Sequence, residues 1–298
     1  MMKSHYHFWI WFVWISAASL ALAENDIFKV LVDEGIRVAE RETVPLPQPA
    51  LADGLNAANQ RQRIENLLAG KYAWDDFTRR AVVAPFVLKI SGDKLSGERE
   101  REPRVGRNVD VYFIAYGELK TLASDDFLTG QLKIAGSEAD ANGSYVKLLT
   151  DAELTKRGIA TPKTASDPRF IAAGITFLER VRLNVTLRNQ KTETADSILL
   201  ASLIDEQFAD DKEFPTVWRS ISRDDSGQRQ VGPPLAYHGL GFYVKATRLV
   251  EPAGALFIEY HAAFAEPKGW FSGANLLRSK LPIVAQDAVR KARRSLEK

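Results

Sequence analysis

The last sixty residues, Gly239 to Lys298, constrain this chain more than any other stretch. They read as strand, tight turn, strand, Gly-Trp, and one amphipathic helix to the end. Phe242 to Val250 and Ala255 to Phe264 are the strands, and Glu251-Pro252-Ala253-Gly254 places Pro and Gly where a four-residue reversal needs them. Beyond Gly269-Trp270, residues Leu281, Val284, Ala285, Ala288, Ala292 and Leu296 recur on one helical face, with Arg290, Lys291, Arg293 and Arg294 largely opposite. A long helix with one apolar stripe needs a sheet to lie on.

Upstream the chain supplies that sheet. Val181, Leu183, Val185 and Leu187 alternate with Arg180, Arg182, Asn184, Thr186 and Arg188, which predicts an antiparallel strand buried on one side with a wet outer face. Ile198 to Ile204 is its expected partner, and Phe214 to Arg223 a further strand reversed at Asp224-Asp225-Ser226-Gly227. Pro233-Pro234 breaks the chain before the final hairpin. Val82 to Ile90 is expected as a strand turned by Ser91-Gly92-Asp93. Val109 to Tyr116 puts Val109, Val111, Phe113 and Ala115 on one face, and Phe127 to Ile134 reads as another strand. Glu98 to Pro103 and Ser137 to Gly143 read as loops, Asp151 to Leu154 as the start of a helix ending near Gly158, and Thr161 to Pro168 as a break.

Before the strands come helices. Asp26 can cap a short helix, Ile27 to Glu34, that Gly35 stops. Ile36 to Glu42 alternates as a strand or extended arm, and Pro45, Pro47 and Pro49 make a stiff connector. Asn56 caps a helix through about Gly70, and Trp74-Asp75-Asp76-Phe77 starts a helical turn. Helices at both ends of alternating strands predict an α+β fold: an antiparallel β-sheet packed against a long C-terminal helix, with additional N-terminal helices.

The first residues stand apart from this pattern. Lys3 is followed by a nearly unbroken apolar run, Phe8 to Leu22, and Ala21-Leu22-Ala23 supplies a small-x-small site. That is the pattern of a bacterial secretory signal peptide cleaved after Ala23. An uncleaved membrane anchor is the competing reading, since the run is long for a signal and short for a span. The expected organisation is therefore a signal peptide over 1–23, an N-terminal helix and Pro-rich connector over 24–55, and the α+β domain over 56–298, in a periplasmic or secreted protein with no stable transmembrane segment once the signal is removed. The sequence sets no oligomeric state.

Composition narrows the chemistry. A net charge of +2 gives no global field for nucleic acid, and the basic cluster at the end of the last helix reads as a solvated face with cations at a helix C-terminus. Cysteine is absent, so disulfides, thiolate metal sites and cysteine nucleophiles are excluded. Outside the signal only His238 and His261 remain. His261 reads as an outer-face or edge residue beside Glu259, and no zinc-binding spacing occurs, so neither metal nor cofactor is expected. The pairs Asp75-Asp76, Asp125-Asp126, Asp210-Asp211 and Asp224-Asp225 lack the spacing of a calcium loop and read as caps and turns. No nucleophile with its base can be assembled, nor a phosphate-binding glycine motif.

The hairpin, then Glu266-Pro267-Lys268-Gly269-Trp270, then a Pro-bearing terminal helix is similar to the end of START-like domains, within the helix-grip superfamily that also holds the Bet v 1-like proteins. The match covers about the last sixty residues, and Phe271-Ser272 stands where those domains often carry Pro. The resemblance implies a curved antiparallel sheet gripping the C-terminal helix around an apolar cavity. Known members mostly bind or transfer lipids, sterols or other hydrophobic molecules, and a minority are enzymes. The implied lining is Val181, Leu183, Val185, Ile258 and Tyr260 from the sheet, with Trp270, Leu281, Val284 and Ala288 from the terminal segment; the same apolar faces equally suit a closed core. Three readings follow: an exported non-catalytic protein binding a hydrophobic small molecule or lipid, a structural or partner-binding envelope protein with a filled core, and an enzyme in the same cavity using Glu259 and His261.

Overall fold

The computed structural model describes residues 25–39, 42–94, 105–122, 144–267, 270 and 275–297. The expected signal segment, the strand Phe127 to Ile134, the loops Glu98 to Pro103 and Ser137 to Gly143, Asp125-Asp126, Gly269 and Phe271-Ser272 lie outside the described residues. Asn25, one residue earlier than Asp26, caps the first helix by accepting from the Phe28 amide at 2.9 Å. That helix, α1 (Asp26–Lys29), widens into a π turn, Val30–Glu34, and ends at Gly35 with φ +83°, a backbone conformation that favours glycine. The hairpin β1 (Ile36–Ala39) and β2 (Glu42–Val44) follows, then α2 (Ala57–Leu68), capped by Asn56, and α3 (Trp74–Phe77).

The strands are β3 (Phe86–Lys94) and β4 (Val105–Tyr116), with α4 (Leu119–Leu122) after them. β5 (Tyr145–Leu148) leads into α5 (Asp151–Thr155), whose start is a capping box of Thr150 and Glu153. Then come β6 (Arg169–Phe177), β7 (Val181–Glu193), β8 (Ser197–Ile204), β9 (Val217–Arg223), β10 (Arg229–Val231) and β11 (Leu235–Ala236). β12 (Leu240–Arg248) and β13 (Ala255–Glu266) form the final hairpin, and α6 (Asn275–Leu296) is the terminal helix.

β3 departs from expectation at both ends. β3 starts at Phe86 because the carbonyls just before it, of Val82, Ala84 and Pro85, are taken by Arg293. It runs through Ser91-Gly92-Asp93 without turning, since those residues stay paired with Asn108, Arg107 and Gly106 of β4. β6 went unread in the sequence because seven consecutive residues, Phe170 to Thr176, are buried, so no polar alternation marks it.

The strands pair antiparallel in the order β3, β4, β13, β12, β8, β7, β6, β5, with β9 beside the first half of β7. In a flat sheet β13 and β6, four spacings apart, would lie about 19 Å from each other. Phe264 of β13 and Phe177 of β6 nevertheless bring their ring centroids to 6.3 Å. The sheet is therefore strongly curved, and α6 lies along its concave face: Leu281, Val289, Ala292 and Leu296 belong to the same apolar core as Val111, Phe113, Val185 and Ile258. This is an α+β fold, a curved antiparallel sheet gripping a long C-terminal helix.

The convex face is covered as well. α1, β1 and β2 pack Ile27, Phe28, Leu31 and Ile36 onto Leu199, Ala201, Tyr243 and Ala263. Leu51 with α2 and α3 covers Tyr112, Ile114 and Phe257. The outer face of β7 is accordingly not simply wet: Thr186 is buried and donates to the Phe214 carbonyl at 3.1 Å, and Gln190 is buried beside Asn25. On α6, Arg293 overturns the expectation of a solvated basic face. It is 3% exposed and donates to four carbonyls, those of Ile114, Val82, Ala84 and Pro85, at 2.5–3.1 Å. Arg294 beside it is exposed.

Candidate ligand cavity

Between sheet and helix lies a cavity of about 230 Å³. One water molecule needs only ~10–15 Å³ measured the same way, so this is room for a molecule rather than a packing defect. Its walls follow from strand alternation. Cross-strand rows of the ladder put Val244, Tyr260 and Val111 side by side, then Ile258 and Phe113, then Ala262 and Val109. α6 supplies the opposite wall at i, i+3, i+4 and i+7 spacing: Leu281, Val284, Ala285, Ala288, Val289 and Ala292. No charged side chain lines the cavity among the described residues.

Leu183, Ile258, Tyr260, Trp270, Leu281, Val284 and Ala288 stand in this lining. Val181 and Val185 do not; they are 0% and 1% exposed, closed within the core of the sheet. The lining also takes Val109, Val111 and Phe113 of β4, whose shared face was readable from alternation, and Ile175 and Phe177 of β6, which was not. Tyr237, in the irregular chain before β12, gave no periodic signal at all.

One end of the cavity is aromatic. Trp270 stacks on Tyr237 at 5.2 Å and on Phe264 at 6.3 Å, and meets Trp218 edge-on at 6.0 Å. The Tyr237 hydroxyl is 2.8 Å from the Gly239 carbonyl and 3.0 Å from that of Ala265, so its single proton stays within the protein. Tyr260 differs. Its ring stacks on Phe242 at 5.6 Å, and its hydroxyl has no hydrogen-bond partner among the described residues. Burial pushes its phenol pKa up, so it is neutral and able to donate.

Glu259 and His261 do not share this space. They point to the convex side from the middle of the sheet and are 0% exposed. His261 Nδ1 is 2.7 Å from Asp110 Oδ1, and its Nε2 is 3.3 Å from Glu259 Oε2, which also accepts from the Ala50 amide at 2.7 Å. Burial alone lowers the imidazole pKa, but the hydrogen bonds to Asp110 and Glu259 outweigh it and leave it raised. Next to this group Lys245 Nζ lies 2.8 Å from Asp53 Oδ1 and donates to the Leu51 carbonyl at 2.8 Å. Burial raises the Asp53 pKa, and its bonds to Lys245, Thr194 and Ser197 more than reverse that, leaving it lowered. Sealed under the N-terminal segment, these groups fasten the cover to the sheet. The expected pairing of Glu259 and His261 in a cavity enzyme is thereby corrected: strand alternation sends both away from the cavity.

A curved antiparallel sheet closed over a long C-terminal helix is a helix-grip architecture. Among solved structures, the human StarD13 (DLC2) lipid transfer and protein localization domain is similar over 81% of this chain and 98% of its own, at 10% identity and a TM-score of 0.40. Human STARD10 is similar over 86% of this chain and 84% of its own, at 10% identity and a TM-score of 0.36. A conserved protein from Geobacillus kaustophilus is similar over 63% of this chain and 95% of its own, at 9% identity and a TM-score of 0.28. No protein-family model and no curated protein sequence matches the chain.

Proposed function

We propose that this chain is an exported, non-catalytic protein that takes a hydrophobic small molecule or lipid into the space between its sheet and its C-terminal helix. The observation that carries this reading is the cavity itself, about 230 Å³ and lined by apolar and aromatic side chains of both elements. Sites for small molecules are concave, mostly apolar and furnished with few polar groups. Export rests on Lys3, the apolar run Phe8 to Leu22 and the Ala21-Leu22-Ala23 site. No described helix is long and apolar enough to cross a membrane.

Uptake of Nile red, a neutral dye that fluoresces in apolar surroundings, tests the cavity. The wild type should bind it. Ala288→Trp, which fills the cavity from the helix side, should abolish binding while the melting temperature holds or rises. A wild type that takes up no dye, with Ala288→Trp destabilised by about 1–3 kcal/mol, would instead leave a filled-core envelope protein. For export, the first residue of protein recovered outside the cytoplasm should be Glu24; a membrane-bound chain retaining Lys3 would refute the cleavage.

A further inference from the structure

Resting on the carrier reading, we propose that the ligand is an uncharged amphiphile with a single hydrogen-bonding head, a long-chain alcohol or an alcohol of similar polarity, and that its head seats on the Tyr260 hydroxyl. The argument starts from what the lining lacks. Among the described residues no Lys, Arg, His, Asp or Glu reaches the cavity. An ionised carboxylate or phosphate drawn inside would lose its water with no counter-charge from the described lining in exchange, and an isolated charge in such surroundings is far costlier than a neutral polar group. Arg293, the buried cation of α6, offers no relief. It is not in the lining: its guanidinium lies behind the Phe113 ring, 5.7 Å from the centroid, and is held by the carbonyls of Ile114, Val82, Ala84 and Pro85.

Besides the Trp270 indole, the lining carries two phenol hydroxyls, those of Tyr237 and Tyr260. The Tyr237 hydroxyl is committed to the carbonyls of Gly239 and Ala265. The Tyr260 hydroxyl has no such partner among the described residues, and Tyr260 stands in the row between Val244 and Val111 and lines the cavity opposite α6. Tyr260 is half-buried, and a hydroxyl open to an apolar cavity is one of the few polar groups by which such a site orients a ligand. A neutral head that both accepts and donates matches a phenol; a purely hydrocarbon ligand would leave it unpaired.

The test is displacement of Nile red by 1-decanol, 1-chlorodecane and decanoate at pH 8, which share a chain and differ at the head, each affinity being referred to the compound's own partition into hydrocarbon. Decanol should outbind chlorodecane by about threefold to tenfold, the worth of one hydrogen bond, and Tyr260→Phe should erase that difference without weakening chlorodecane. Decanoate should be the weakest by at least about tenfold and should recover as the pH is lowered to protonate it. If Nile red does not enter the wild type, the carrier reading fails and takes this inference with it. If the dye enters but decanol shows no advantage, or keeps it in Tyr260→Phe, or ionised decanoate binds as well, the carrier survives and this inference does not. Should Tyr260→Phe not fold, the head-group series on the wild type decides alone.

Discussion

Along β13 alternate residues serve two different interiors. Ile258, Tyr260 and Ala262 turn to the cavity, whereas Phe257, Glu259, His261 and Ala263 turn to the N-terminal cover. Both sides are shielded from water, but they are filled differently. The concave side is apolar in its lining and keeps open space. The convex side is packed and holds buried charges, Lys245 with Asp53 and His261 with Asp110 and Glu259. An apolar wall contacts a ligand without regard to orientation, which suits a site that fills and empties. Buried charges are weak as net stabilisers, yet they penalise any misplacement of their partners, which suits a segment that must be held in one position.

The largest effect expected from that contrast comes from Lys245→Met, which leaves the Asp53 carboxylate buried without its cation. Urea unfolding should show a loss of about 3–5 kcal/mol. A loss below about 1 kcal/mol would mean that the cover is not fastened by charge. Two neighbouring alanines give a sharper comparison. Ala263→Leu points into the packed cover and should cost about 1–3 kcal/mol. Ala262→Leu points into the cavity and should be neutral or stabilising by up to about 1 kcal/mol, while dye uptake falls. Equal costs for the two would erase the distinction between the faces.

The pH dependence is a smaller effect and belongs to the convex side alone. Because the His261 pKa is raised on folding, the folded state binds a proton more tightly than the unfolded chain does. Its contribution is fully present below the unfolded value of about 6.5 and is lost as pH rises through the folded value. Asp53, with a lowered pKa, contributes above its unfolded value of about 3.9 and loses that contribution as the pH falls through the folded value. Denaturant midpoints across pH 5–9 should therefore decline on the alkaline side, and in His261→Gln that decline should flatten. A decline of unchanged slope in the variant would exclude His261 as its source. Smallest of all, Arg294→Asp on the exposed face of α6 should shift stability by about 0.5 kcal/mol or less in a thermal melt. A larger shift would place Arg294 in a contact.

Local pattern carried much of this protein. The hairpin of β12 and β13, the alternation in β4 and β7, the Asn56 cap and the apolar stripe of α6 are all written within stretches of a few residues, because periods of 2 and 3.6 decide which side chains share a face. That was enough for the α+β architecture and for much of the cavity wall. What the sequence could not decide is what lies against each face. His261 and Arg293 look like surface residues by spacing, and they are buried because residues 46–55 close over one and the carbonyls of residues 82, 84, 85 and 114 converge on the other. Val181 and Val185 share their face with Leu183, yet only Leu183 reaches the cavity. Such outcomes depend on curvature and on contacts between segments up to 211 residues apart. No local period encodes them, and only the folded sheet brings those groups together.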